Sequence, residues 1–198
     1  MKHIEDMRVL VHTLLRSRRF HCLIIEGPPG WGKSTTVGKV LGELGITFES
    51  VGAYITPLEL FKSLRGTPTG LHVLDDSEGV LGSPAAVSIL RSAIWCGASS
   101  ATERCISWTS PASGPSNKFV FSGKVILLTN STSGITAKMG LLSRSLHFRI
   151  RLPKLAKAQV LADVAGNSDR FPDQVASASV TEFLVEQMEQ GVRGINLR

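Results

Sequence analysis

The feature that constrains this chain most is a glycine-rich segment at residues 27–34, GPPGWGKS. It fits the pattern GxxxxGK[ST], in which glycines let successive backbone N–H groups turn towards a phosphate. The pattern needs a buried strand before the loop and a helix after it, because the positive end of the helix then faces the anion. Here the apolar run CLIIE precedes the loop, and KSTTVGKVLGEL follows it with helical periodicity. The segment therefore predicts a strand, a phosphate-binding loop and a helix.

The positions of this loop have different expected roles. Lys33 is expected to bind the β- and γ-phosphates of a nucleotide, and the hydroxyl of Ser34 to bind Mg²⁺. The side chain of Trp31 has three possible interpretations: an exposed loop residue, a stacking surface for adenine, or a partner contact. The full set of predicted nucleotide-binding residues in the loop is Gly27, Pro28, Pro29, Gly30, Trp31, Gly32, Lys33, Ser34 and Thr35.

Further apolar runs predict the other strands of a parallel sheet. They lie in the segments ITFESVGAY, GLHVLDD, KVILLTN and LHFRI. Helical patterns alternate with them, as in the amphipathic segment 3–18 and in TPLELFKSL, where Thr56 is a plausible N-cap. Strands that alternate with helices predict a three-layer α/β core with five strands at residues 1–152.

A polar segment interrupts this alternation at residues 97–124. It contains the β-like pieces RCISWTS and KFVFSG, which predict an inserted hairpin or loop. Arg104, Trp108 and Lys118 combine positive charge with an aromatic ring, which suits single-stranded nucleic acid, although a solvated hairpin explains the segment equally well. Only helical patterns follow residue 152, so residues 153–198 are predicted to form a small helical lid.

Polar residues at the predicted strand ends complete a candidate catalytic site. Asp75 is expected to support Mg²⁺ and Asp76 to activate water, unless the two acids only cap a turn. Glu78 is an alternative base, although its side chain is expected to leave the strand end. Asn130 ends another strand, where its amide could bind the γ-phosphate and the attacking water. Arg144 is either a surface salt-bridge residue or an arginine that a neighbouring subunit inserts to stabilise the transferred phosphoryl group.

Charge and composition limit the class of partner. Lys and Arg number 22 against 16 Asp and Glu, and the net charge of +6 favours a nucleic-acid partner without establishing one. The apolar runs are far shorter than the about 20 residues that a membrane span needs, and no signal peptide is recognisable, so a cytoplasmic protein without a membrane partner is predicted. Cys22, Cys96 and Cys105 lack close metal-ligand spacing and are predicted to be reduced thiols, mostly in the core.

In combination these motifs resemble the AAA+ family of ATPases. A Walker A motif (GPPGWGKS), a Walker B motif (LHVLDD), a sensor 1 asparagine in VILLTNS and an arginine-finger segment (LLSRSLHFRI) occur in the family's order over nearly the whole chain. The resemblance implies a parallel sheet of strand order 5-1-4-3-2, ATP and Mg²⁺ as cofactors, and a homo-oligomeric ring, commonly a hexamer, in which Arg144 reaches the neighbour's ATP. It also implies a sensor 2 arginine in a lid that is incomplete at the end of this sequence. Arg193 and Arg198 compete for that role, with a slight preference for Arg198.

Two departures from the family pattern affect the expected function. Asp76 replaces the usual glutamate, as in the paired-Asp Walker B motif of some viral superfamily-three helicases, which leaves the rate of hydrolysis open. The insertion at residues 97–124 lies where several DNA-acting members carry pore or hairpin loops. We expect an ATP-hydrolysing AAA+ motor domain that works on nucleic acid, as a replication ATPase of phage or plasmid type, a helicase or a loader. The alternatives are a protein-remodelling ATPase, an ATP-gated assembly switch with slow hydrolysis, and a small-molecule kinase.

Overall fold

A computed structural model describes most of the predicted core and a few helical residues near the carboxyl terminus. The described residues are 2–52, 54–95, 102–108, 117–131 and 139–151, together with 179, 182, 183, 186 and 187. Apart from these last five residues, the predicted lid at 153–198 lies outside the described residues, as do Arg193 and Arg198. The lid and the domain boundary near residue 152 therefore stay predictions.

The helices and strands follow the predicted alternation. The helices are α1 (Lys2–Arg16), α2 (Lys33–Glu43), α3 (Pro57–Gly66), α4 (Glu78–Gly82), α5 (Pro84–Ile94) and α6 (Met139–Leu142). The strands are β1 (Cys22–Glu26), β2 (Phe48–Val51), β3 (Leu71–Leu74), β4 (Arg104–Trp108), β5 (Asn117–Phe121), β6 (Lys124–Thr129) and β7 (Leu146–Arg149). The short helix α4 is the element that the sequence patterns did not predict.

Five of the strands form one parallel sheet, in the order β2-β3-β6-β1-β7. When the strands of this sheet alone are numbered along the chain, the order is 5-1-4-3-2 from the β7 edge. This confirms the α/β class and the strand order that the resemblance implied. Because all five strands run the same way, the loops that follow β1, β3 and β6 meet at one edge of the sheet.

Two apolar layers cover the faces of the sheet. Side chains of β1 and β6 alternate between them, as the pleat of a strand requires, and the burial of each such side chain contributes about 1.5–3 kcal/mol. The layer under α1 and α2 includes Met7, Val11, Leu23, Ile25, Val37, Ile126 and Leu128. The layer under α3, α5 and β4 includes Cys22, Ile24, Leu60, Leu90, Ile106, Val125 and Leu127.

Hydroxyl side chains begin the two helices of the second layer. Thr56 Oγ1 accepts a hydrogen bond from the backbone N–H of Glu59 (3.2 Å), and Pro57 takes the first helical position of α3. Ser83 Oγ accepts one from Ala86 N–H (3.3 Å) at the start of α5. Both caps satisfy backbone donors that have no partner within the first turn of a helix. The predicted N-cap at Thr56 is thus confirmed.

Strands β4 and β5 form a separate antiparallel pair, in agreement with the predicted hairpin. Arg104 is only 3% exposed; its guanidinium donates to the carbonyl of Gly123 and lies 5.2 Å from the ring centre of Phe121. The ring of Trp108 is partly buried against the core, 6.4 Å from that of Phe61. Packing therefore covers Arg104 almost fully and Trp108 only in part, so the structure does not favour Arg104 as part of a nucleic-acid surface. Lys118 is exposed.

In the described ranges, no helix combines the length and the apolar character needed to cross a bilayer.

The two described cysteines differ in environment. Cys22 is fully buried in β1, and burial raises the pKa of its thiol to about 12, whereas Cys105 is exposed on β4, so the core prediction fails for Cys105.

In a Cys96→Ser variant, we expect a water-soluble disulfide reagent to label Cys105 in the folded protein and Cys22 only in denaturant, because the thiolate is the reacting form. Thiol titration with and without guanidinium measures this. If the folded protein releases two equivalents of the reagent's thiol, both cysteines have reacted, which would show that β1 opens in the native state.

Candidate nucleotide-binding site

The loop between β1 and α2 needs its glycines for different reasons. Gly30 and Gly32 adopt positive φ values of 81° and 73°, which side chains with a Cβ rarely adopt. A Cβ at Gly27 would lie 2.8 Å from the Cβ of Ile150, closer than packed side-chain atoms come. The backbone on either side of Gly27 is also fixed: Gly27 N–H donates to Thr129 O (3.1 Å), and Ile150 N–H donates to Glu26 O (2.7 Å). The loop therefore starts from a point held by β6 and by the end of β7.

Trp31 lies inside the layer under α1 and α2. Its side chain is 6% exposed and belongs to the same cluster as Met7 and Val11 of α1. The interpretation as an exposed loop residue is therefore wrong, and a covered ring does not favour stacking on adenine. Trp31 anchors the phosphate loop to the core through its side chain, while its backbone stays part of the loop.

The side-chain amine of Lys33 lies at the centre of the site. It donates to the carbonyls of Gly27 (2.6 Å) and Pro28 (2.9 Å) and to Oδ1 of Asn130 (2.9 Å), and Lys33 is 6% exposed. A buried ammonium needs such acceptors, because it loses the water that would otherwise solvate its charge. Two of these acceptors are neutral carbonyls of the loop itself, so an anionic phosphate oxygen would be a stronger partner for the same donor.

Asn130 connects this lysine to the carboxylates that follow β3. Its Nδ2 donates to Oδ1 of Asp76 (3.3 Å), while the backbone N–H of Asp76 donates to Oδ1 of Asp75 (3.0 Å). Asp76 has a positive φ of 47°, a conformation that Asp adopts more readily than most residues. Lys33, Asn130 and Asp76, predicted separately from three segments of the sequence, thus form one hydrogen-bonded chain at the carboxyl edge of the sheet.

Glu78, the first residue of α4, turns towards β6 rather than away from it. Its Oε1 accepts hydrogen bonds from Thr129 Oγ1 (3.0 Å) and from the backbone N–H of Asn130. Ser77 reinforces this attachment, since its N–H and its hydroxyl both donate to Leu128 O, at 2.9 and 3.0 Å. The expectation that Glu78 leaves the strand end is therefore wrong. The carboxylate fixes the backbone of the residue that contacts Lys33.

The predicted metal-binding residues suit Mg²⁺ in their chemistry. Ser34 is the second residue of α2 and is exposed, and the carboxylate of Asp75 is half-buried at the end of β3. Hydroxyl and carboxylate oxygens, with water between protein and ion, are the ligands that Mg²⁺ prefers. These two residues would hold the ion directly or through its water shell.

Another carboxylate, that of Glu26, lies next to the phosphate loop and was not anticipated from the sequence. Glu26, whose side chain is 8% exposed, pairs with Arg149 (3.0 Å) and His147 (3.1 Å) of β7. Arg149 is the register partner of Glu26 between the parallel strands β1 and β7. The pairing offsets the negative charge of Glu26 immediately before the loop that must accept an anion. The alternation of side chains along β1 and β7 is a sequence signal for this ion pair. It identifies the two partners only once the register of the strands is known.

Arg144 lies apart from the hydrogen-bonded chain, beside the end of α5. Its guanidinium donates to Gly140 O (2.8 Å) and lies 5.7 Å from the ring centre of Trp95. No carboxylate of the described residues forms an ion pair with it, so the salt-bridge alternative is not supported there. It borders a cavity of about 390 Å³ that is also lined by Ser88, Arg91, Ser92 and Trp95. Its action on a neighbouring subunit's ATP stays a prediction.

The parallel sheet and the glycine-rich loop between β1 and α2 define the class of this protein as an α/β protein with a P-loop-like fold. No family model matches the chain, and no curated protein matches it. Solved structures do match. They include RuvB of Thermotoga maritima, described as a Holliday junction branch migration motor, with TM-score 0.53, 13% identity, and coverage of 84% of this chain and 50% of that chain.

Two single-residue variants of the same RuvB give similar values. One has TM-score 0.55 and 14% identity, covering 85% of this chain and 52% of that one, and the other has 0.58 and 11%, covering 91% and 56%. This chain thus spans about half the length of these structures. At such identities the likeness shows the fold alone, a parallel five-stranded sheet between layers of helices.

Proposed function

We propose that this chain is an AAA+ motor domain that couples the binding and hydrolysis of Mg²⁺-ATP to work on nucleic acid. The observation that carries the proposal is the hydrogen-bonded chain from Lys33 through Asn130 to Asp76. It brings a phosphate-binding cation, a polar amide and a carboxylate to one sheet edge, next to a loop whose glycines expose backbone donors.

Each residue has a distinct part in the proposed hydrolysis. Lys33 binds the β- and γ-phosphates, and Asn130 orients the attacking water. Asp76 accepts the proton of that water as the water oxygen bonds to the γ-phosphorus and the bond from the γ-phosphorus to the β–γ bridging oxygen breaks, which yields ADP and phosphate. Bound Mg²⁺, held by Ser34 and Asp75, would offset charge on the phosphate oxygens. Arg144 would act on the ATP of the next subunit, and Arg193 or Arg198 on its own.

The nucleic-acid client and the assembly are supported by charge and by likeness. The net charge of +6 favours a polyanion, and the structurally similar RuvB is described as a motor that acts on Holliday junctions. A homo-oligomeric ring, with a hexamer favoured, in the cytoplasm is part of the same proposal and rests on the resemblance of the motifs to the AAA+ family. A protein-remodelling ATPase would share the site described above and differ in its client.

A slow, ATP-gated assembly switch is a second candidate. The observation that favours it is the contact of the Asp76 carboxylate with Asn130 Nδ2 at 3.3 Å. This contact holds the carboxylate against the amide, and Asp is one methylene shorter than Glu. In that case ATP would control assembly with little turnover.

One set of measurements distinguishes these functions. We expect ATP hydrolysis that DNA stimulates, with the stimulation falling steeply as salt rises, because counterions compete for the phosphate backbone. We also expect ATP to increase the oligomer size in size-exclusion chromatography. Hydrolysis without any effect of DNA at low salt would indicate a protein client, and assembly without turnover would indicate the switch. Absence of nucleotide binding would overturn the proposal.

A further inference from the structure

A short basic loop follows α1 at the edge of the sheet opposite the phosphate loop. We call residues 16–20, RSRRF, which are the last residue of α1 and the four residues after it, the basic loop. It leads directly into the amino end of β1, whereas the phosphate loop leaves the carboxyl end of the same strand. The length of β1 therefore separates the two loops, and a change in one leaves the contacts of the other intact.

Hydrogen bonds fix the backbone of the basic loop. Ser17 Oγ accepts from the N–H groups of Arg19 (3.1 Å) and Phe20 (2.8 Å). The amine of Lys124, at the start of β6, donates to the carbonyls of Ser17 (2.6 Å) and Phe20 (3.3 Å). A loop that is already ordered loses less conformational entropy when it binds a partner.

Three arginines extend from this fixed backbone. Arg16, Arg18 and Arg19 are exposed, and none of them pairs with a carboxylate of the described residues. Arg19 also lies over the ring of Phe20, at 5.8 Å. The surface of the basic loop thus carries three positive charges without a compensating ion pair in the described part of the chain.

Further cationic groups lie behind the loop at the same sheet edge. Burial, and then the charges of Arg104 and Lys124, lower the pKa of His21 to about 4. Burial, and then the charge of Arg104, also lower the pKa of Lys124. With this pKa, His21 is neutral near pH 7, so the positive charge behind the loop comes from Arg104 and Lys124.

We propose that the basic loop binds the phosphodiester backbone of nucleic acid, a proposal that rests on the nucleic-acid client of the proposed function. Guanidinium groups present planar forks that match phosphate oxygens. An anionic membrane would also attract them, but binding at its surface depends on apolar side chains that enter the lipid. No large apolar side chain of residues 16–20 is among the exposed ones, and Phe20 is half-buried. The loop therefore suits a phosphate backbone better than a lipid surface.

The test compares Arg18→Ala/Arg19→Ala with Lys39→Ala/Lys62→Ala, a control that removes two exposed positive charges from α2 and α3. The measurement is fluorescence anisotropy of labelled oligothymidylate and of a labelled duplex, from about 50 to about 200 mM salt. For the arginine variant we expect affinity to fall about 10-fold at low salt. We also expect the plot of log K against log salt to become less steep, with its slope smaller in magnitude by about 1.5 to 2. The control should keep the wild-type slope. Basal ATPase activity without DNA should stay unchanged in both, since these residues lie outside the site.

Each other outcome has a defined meaning. Equal losses in the two variants, or a wild-type slope in the arginine variant, would overturn the proposal. So would unchanged DNA binding together with lost binding to phosphatidylserine vesicles, which would assign the loop to a lipid surface. If the wild-type protein binds DNA through these arginines but does not bind ATP, the proposed motor function fails and the basic loop stands. If it hydrolyses ATP but does not bind nucleic acid, the loop proposal fails and the ATPase site stands.

Discussion

Replacing Lys33 with alanine is expected to lower ATP turnover by about 100-fold or more, because the variant loses the cation that offsets charge on the transferred phosphoryl group. Binding of ATP should weaken as well, since the amine that now bonds the loop carbonyls and Asn130 would no longer be available to bond phosphate oxygens. Steady-state ATPase assays and titration with a fluorescent ATP analogue measure the two effects separately.

Lys39→Ala is the matched control for this variant. Lys39 lies on the same helix, α2, but its side chain is exposed. It should keep the wild-type turnover and nucleotide affinity. Thermal unfolding of both variants would show whether lost activity reflects lost folding, because Lys33 is buried and has structural partners. Normal turnover in a folded Lys33→Ala variant would remove this loop from the catalytic site.

The second large effect is expected at Asp76, in contrast with Glu78. Asp76→Asn should lower turnover by about 100-fold or more, because an amide cannot accept the proton of the attacking water. Glu78→Gln should keep most of the activity, since its amide oxygen can still accept from Thr129 Oγ1 and Asn130 N–H. Glu78→Ala should lose activity, because the backbone of Asn130 then has no acceptor that holds it. The three turnover numbers, measured at saturating ATP, form the test.

The opposite ranking would reassign the base. If Glu78→Gln loses as much activity as Asp76→Asn, Glu78 acts as a base and not as a positioning residue. Asp76→Glu adds the test of the slow switch: a sharp rise in turnover would show that the reach of the shorter carboxylate limits hydrolysis. Unchanged turnover in this variant would mean that Asp76 is already competent or is not the base.

The parallel core could be predicted from the sequence because its signals are local. Short apolar runs followed by polar residues mark β1, β3 and β6, and the spacing within GPPGWGKS defines the phosphate loop. The role expected of Lys33 followed from the GxxxxGK[ST] pattern, and the roles of Asp76 and Asn130 followed from their positions after strand ends. Their contact with one another required the strand order, which the family resemblance supplied.

Burial of single residues could not be predicted in the same way. Trp31 lies in a polar loop sequence and Arg104 in a polar segment, yet both are buried: Trp31 belongs to the apolar cluster that includes residues of α1, and Arg104 packs against Phe121 of β5. The direction of Glu78 depends on α4, a helix too short to produce a periodic pattern. In each case the outcome depends on contacts between distant segments, which no local pattern contains.

Two features of the structure depend on the absence of a side chain at Gly27: the phosphate loop and the packing of Ile150. The GxxxxGK[ST] pattern of the phosphate loop begins with this glycine, and Ile150 fills the space where a Cβ would lie. An inactive Gly27→Ala protein would therefore have two causes that an activity assay alone does not separate: a displaced phosphate loop and a strained junction between β1 and the end of β7. Position 27 therefore belongs to the packed junction between β1 and the end of β7 as well as to the proposed active site. The stricter of these two requirements determines which substitutions the position tolerates.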